Sequence, residues 1–114
     1  MGCTVNSNQV AISRTEGHCP IGEITGSRNI ANSKIPVISC EGSCIRGEIA
    51  RLAANIISRK KGFGRGCHGE LITVPDSAIA KWIKAAQKVL LIDGCFLRCH
   101  GRILENLIAA DKLV

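Results

Sequence analysis

Two pairs of cysteines carry most of the chemistry that this sequence offers. Cys40 and Cys44 lie in Ile-Ser-Cys-Glu-Gly-Ser-Cys, and Cys95 and Cys99 lie in Ile-Asp-Gly-Cys-Phe-Leu-Arg-Cys. Each pair follows a short apolar run and precedes a helical pattern. Residues four apart at a helix start share a face about one turn apart, so each pair could clamp one ion from two sides. The free N–H groups and the positive dipole end of a helix start favour thiolate over thiol. Four thiolates at about 2.3 Å make a closed tetrahedral zinc site, and the same ligands suit an iron–sulfur cluster. Arg46, Arg98 and Arg102 lie close enough in sequence to offset the negative charge.

A fifth thiol, Cys67, sits in the glycine-rich stretch Gly64 to Gly69 and joins the candidate ligands. Cys67-His68-Gly69 and Cys99-His100-Gly101 repeat a small pattern, and His18-Cys19 completes a set in which every histidine adjoins a cysteine. The metal ligands are therefore sought among Cys40, Cys44, Cys67, Cys95 and Cys99, with the histidines as neighbours. Cys3 and Cys19 stand alone and read as free or buried thiols. Asp93 reads as a short acceptor at a strand end that bonds loop N–H groups. Trp82 falls in a helical apolar stripe and reads as core.

The elements that would position these thiols alternate between strand and helix. Ile35-Pro36-Val37-Ile38 is a short buried strand, with Pro36 near its start, where a missing N–H costs least. Ile45, Ile49, Leu52, Ala53, Ile56 and Ile57 make one stripe of a helix that Gly62 ends. Leu71 to Val74 reads as a second strand. Pro75-Asp76-Ser77 starts a helix lined by Ile79, Trp82, Ile83 and Ala86. Val89 to Ile92 is a strand apolar on both faces. A last helix is predicted from about Phe96 to Ala110, with Ile103, Leu104, Leu107 and Ile108 inward. Residues 1–34, with a short alternation at Gln9 to Ser13, read as a poorly defined N-terminal strand and loop segment. Residues 35–114 form the cysteine-rich part of a single domain. The predicted fold is α/β: a small parallel sheet with flanking helices, built of strand–Cys loop–helix units, its cysteines at the C-terminal edge where such sheets carry their sites.

The totals narrow the function classes. The chain has 114 residues, 7 cysteines and a formal net charge of +6. No apolar run approaches the ~18 residues of a membrane span, and the N-terminus has no basic stretch leading into an apolar one. Asn6 stands where a myristoylation signal wants Ser or Thr. An odd number of cysteines and no export signal point to reduced thiols in the cytoplasm. The basic run Arg59-Lys60-Lys61, with Arg65, suits a helix C-terminus, and the absence of interleaved aromatics apart from Phe63 argues against nucleic acid.

At Leu91-Ile92-Asp93-Gly94-Cys95, with Cys99 following, the chain resembles the DGC domain family, named for its Asp-Gly-Cys motif and described as zinc-binding from its shared cysteines. The resemblance runs roughly over residues 36–110 and includes Cys40 to Cys44, Gly47, the alanine-rich helix Ala50 to Ala54, and Cys67. By position it implies that Cys40, Cys67, Cys95 and Cys99 are ligands, with Cys44 where other members often have Ser or Cys. It implies no reaction.

The expected function is therefore zinc binding by a cysteine cluster at the sheet edge, in a structural or sensory role, with binding preferred to catalysis. One alternative is a thiol-based enzyme. Cys40 to Arg46 has the spacing of the oxyanion-cradling loop of low-molecular-weight phosphatases and arsenate reductases, although Gly47 and Glu41 depart from that pattern. Another is an iron–sulfur or metalloid-binding protein. The partners left open are a metal ion, another protein or a second copy of the chain, with membrane and nucleic acid disfavoured.

Overall fold

Ile35–Ser39 forms the central strand, β1, because a run of apolar residues that tolerates burial on both faces belongs in the middle of a parallel sheet. The computed structural model describes residues 8–114; Cys3 and the Met1-Gly2 terminus lie outside them. Helix α1 (Pro20–Ala31) precedes β1. After it come α2 (Ile45–Ser58), β2 (Phe63–Arg65), α3 (His68–Thr73), α4 (Ala78–Ala85), β3 (Leu90–Ile92) and α5 (Cys99–Leu104). The strands are all parallel, in the order β2-β1-β3. This is the predicted α/β architecture: a small parallel sheet flanked by helices.

Side chains alternate across a strand, and β1 accordingly serves two layers. Ile38 joins Leu71, Ile79, Ala80, Trp82, Ile83, Val89, Leu104 and Ile108 in the main core. Val37 and Ser39 are buried outside that cluster, as are Ala50 and Ala54 of α2. Trp82 is fully buried, as its place in the stripe predicts, and its indole N–H donates to Lys34 O at 2.9 Å. Ser77 caps α4 as expected, accepting from Ala80 N at 3.1 Å.

Four local expectations need correcting. Residues 20–31, within the predicted strand and loop segment, form α1, and no strand forms at Gln9 to Ser13. The helix starts on Cys19, whose Sγ accepts from Gly22 N at 3.4 Å, followed by Pro20 at the first helical position, where a missing N–H costs nothing. A Cβ on Gly26 would overlap the Ala78 backbone, so the glycine lets α1 cross α4 closely.

The Leu71 to Val74 run lies in and just after α3 instead of forming a strand, and the third strand comes from Phe63–Arg65, at the start of the predicted loop. A short apolar run is ambiguous between the two periods, and pairing with β1 decides it. The last helix is shorter than predicted, and Phe96, Leu97, Ile103 and Leu107 are exposed.

The fourth correction concerns α2. Its buried residues are Gly47, Ala50 and Ala54, whereas Ile45, Ile49, Leu52 and Ile56 face outward. The small residues let the helix axis approach the sheet, and the large ones point away from it.

Candidate metal centre

The C-terminal ends of β1 and β3 meet at one edge. Ser39 pairs with Ile92, and Cys40 N donates to Ile92 O at 2.9 Å. The residue leaving β1 is therefore Cys40, and its counterpart leaving β3 is Asp93. Cys95, which matches Cys40 in the sequence repeat, lies two positions farther along. The register thus places a thiol and a carboxylate side by side.

Two glycines hold the loops in place. A Cβ on Gly47 would overlap the backbone of Gly42, and one on Gly94 would stand 2.8 Å from Arg46 O. Both loops therefore rest directly on the first turn of α2. Arg65 then ties the Cys40 loop to the sheet, donating from Nε to Asn55 Oδ1 at 2.8 Å, from Nη2 to Ser39 Oγ at 2.8 Å and to Glu41 Oε2 at 3.2 Å. Burial alone would raise the Glu41 carboxyl. The hydrogen bonds from Ser39 and Arg65 outweigh that and hold it below the usual carboxylate range.

His100, in the first turn of α5, completes a group with Cys40 and Asp93. Their donor atoms lie within 4.8 Å of one another, and all three side chains are half-buried. This is the one such group of three or more among the described residues. His68, the first residue of α3, stands against His100, with their Nε2 atoms 3.1 Å apart and ring centroids 4.3 Å apart. His68 itself lies outside the group of three. Burial, followed by the neighbouring His100, pushes the pKa of His68 down, so the ring is neutral and keeps a lone pair at neutral pH.

The strongest sign of a missing partner is in the polar atoms. Asp93 Oδ2 accepts from Gly101 N at 3.0 Å, which orients the carboxylate. Asp93 Oδ1 and His100 Nδ1 are buried with no hydrogen-bond partner. Unpartnered buried polar atoms are costly, and two in one cluster beside a thiol fit a cation. The third, Glu70 Oε1, belongs to α3 and lies outside the group. Sulfur, nitrogen and carboxylate oxygen together suit zinc better than a hard ion such as magnesium.

Of the five sequence candidates, Cys40 lies in this group, and Cys44, Cys67, Cys95 and Cys99 do not. Cys44, Cys67 and Cys99 are exposed and Cys95 is half-buried. Cys67 Sγ accepts from Glu70 N at 3.4 Å, capping α3. Cys44 sits at the N-cap of α2, where backbone N–H groups of Gly47 and then Arg46 hold its thiol below the usual pKa. Sequence reasoning passed over Asp93 and His100 as candidate ligands. The available signal was the repeated Cys-His-Gly, which places one histidine at the start of α3 and one in α5.

The DGC domain family matches this sequence over residues 36–112, more than half of the chain, which therefore belongs to that family. No curated protein matches it, and no solved structure does.

Proposed function

We propose that this chain binds one zinc ion at the C-terminal edge of its sheet, through Cys40, Asp93 and His100, with His68 braced against the Nε2 side of the His100 ring. The observation that carries the reading is the pair of unpartnered buried atoms, Asp93 Oδ1 and His100 Nδ1, beside the Cys40 thiol. Membership of the DGC family and the soft character of the donors support it. The ion would join the ends of β1 and β3 to the start of α5. Its role would be structural or sensory, since metal binding free energy becomes folding free energy where the ligands come from separate elements. A zinc ion when bound would supply positive charge and cross-linking.

The thiol-rich reading shares Cys40 and draws its other ligands from Cys44, Cys67, Cys95 and Cys99. Cys99 adjoins His100 in the sequence, and Cys95 lies two residues beyond Asp93, so the rivals differ by small steps along the chain. Elemental analysis of anaerobically prepared protein and of single variants separates them. Our reading expects one zinc per chain, lost in Asp93→Ala and His100→Ala and kept in Cys67→Ser and Cys99→Ser. The opposite pattern would transfer the site to the thiols, and a coloured, iron-containing preparation would replace zinc with a cluster.

The enzyme alternative has less behind it. Cys40 Sγ accepts an N–H from Gly42 at 3.2 Å, and the adjacent Glu41 carboxylate is held ionised, an unfavourable setting for an oxyanion.

A further inference from the structure

We propose that two copies of this chain pair antiparallel through the outer face of α2. Ile45, Ile49, Leu52 and Ile56 are 76%, 59%, 46% and 57% exposed. Their spacing of four, three and four is that of the a and d positions in a two-heptad coiled-coil seam. The opposite face of the helix, with Gly47, Ala50 and Ala54, is already packed on the sheet. A surface helix normally keeps its polar face toward water, and α2 does the reverse. Scattered exposed Leu or Ile residues need no explanation, but a contiguous stripe on one helix does.

The size of the stripe fits a second copy. From these exposures it offers on the order of 450 Å² of apolar side chain per copy, within the range of the largest patches on monomers. Two copies would bury about 1,000 Å², counting the seam's flanks, where specific interfaces begin. The stripe is also self-complementary, as a two-fold interface requires. With the axis between residues 50 and 51, Ile45 meets Ile56 of the second copy, and Ile49 meets its Leu52.

Charge selects the antiparallel sense. That axis lays the basic turn Arg59-Lys60-Lys61 opposite residues 40–42 of the second copy, where Glu41 stands; Glu48 lies more than a turn farther along, with Arg46 between them. Glu48 also holds Arg51 of its own chain at 2.8 Å, and Glu41 holds Arg65 at 3.2 Å, so their contribution is shared. A parallel pair would instead stack Arg59 on Arg59 at the next seam position and align the two helix dipoles. The antiparallel pairing gives a role to the basic run that the metal site leaves unused. It places the two Cys44 residues about 20 Å apart along the seam, so no disulfide joins them.

Sedimentation equilibrium of the full chain in reducing buffer tests the proposal. The expected result is a dimer at tens of micromolar. Ile49→Glu and Leu52→Glu should each weaken it at least tenfold while leaving the far-ultraviolet circular dichroism unchanged, since both side chains are exposed in the monomer. If either variant loses helix, Ile45→Gln with Ile56→Gln at the seam ends serves in its place. Arg59→Glu with Lys60→Glu should weaken the dimer severalfold and flatten its salt dependence. A chain that stays monomeric at several hundred micromolar overturns the proposal and leaves the stripe to another protein. A dimer unmoved by any seam variant also overturns it. Rapid Cys44–Cys44 cross-linking on mild oxidation would overturn the antiparallel sense.

Discussion

The unit built on β1 has a five-residue strand and a fourteen-residue helix, whereas the unit built on β3 has a three-residue strand and a six-residue helix. In the first, Cys40, a ligand in our proposal, follows directly from the central strand, and its loop is clamped by Gly47, Arg65 and Ser39. In the second, Asp93 occupies the matching position and reaches across to Gly101 N, the residue after His100. Arg98, just before α5, adopts a left-handed conformation with φ 49°, uncommon for a side chain of that size. Both units rest on α2 through a glycine, but Arg65 adds hydrogen bonds to Ser39 and Glu41 in the first, where the second has one hydrogen bond across a turn. Similar sequence spacing therefore yields two half-sites with different anchoring.

Metal affinity tests that contrast most sharply. Cys40→Ser, Asp93→Ala and His100→Ala should each lower zinc affinity by about 100-fold or more, whereas Cys95→Ser and Cys99→Ser should stay within about threefold. Competition against a chromophoric chelator reads both, and a large loss on removing Cys95 would restore the repeat as the site. Next in size is the effect of the ion itself. At a thousandfold excess over its Kd, zinc should add about 4 kcal/mol of stability, seen in calorimetry as a Tm that falls on chelation. Urea unfolding of the metal-free protein should then separate the units. Gly47→Val would drive a side chain into the Gly42 backbone and cost about 2–3 kcal/mol, while Cys99→Ser should change stability by less than about 0.5 kcal/mol.

The smallest expected effect is the pH dependence that His68 contributes. Its folded pKa lies below its ordinary value because of burial and His100, so the folded state favours the neutral ring. That contribution is fully present above the ordinary pKa and is lost as pH falls through the lowered one. His68→Gln in the metal-free protein should remove this acid-side loss, and urea midpoints measured between pH 7 and 5 would show it.

The sheet and the edge at which the chemistry lies were legible because β1 and β3 announce themselves. Ile35 to Ile38 and Val89 to Ile92 are short apolar runs followed by Cys40 and Asp93, and a parallel sheet puts those residues at one end. Helix α4 was legible from Ser77 and the Ile79, Trp82, Ile83 stripe. By contrast, α1 was hidden because Gly22 mimics a turn signal, and α3 because Leu71 to Val74 satisfies the strand pattern. The outward stripe of α2 misled for a different reason. Periodicity reports that a face is apolar, and here both faces are, so only packing shows which one the sheet takes. Asp93 was legible as an N–H acceptor but not as a ligand, because its second oxygen acquires meaning only beside His100.

By itself the sequence determined the family, the parallel α/β architecture and the edge where Cys40 lies. Those depend on local pattern: apolar runs of strand length, capping residues and the Asp-Gly-Cys motif. Tertiary structure decided which donors meet. Pairing Ser39 with Ile92 shifts the second unit two residues out of step with its own repeat, bringing forward Asp93 in place of Cys95. The approach of His100 to Cys40 and Asp93 depends on where α5 begins. Strand register and helix placement come from contacts between segments far apart in the chain, and no spacing within either segment encodes them.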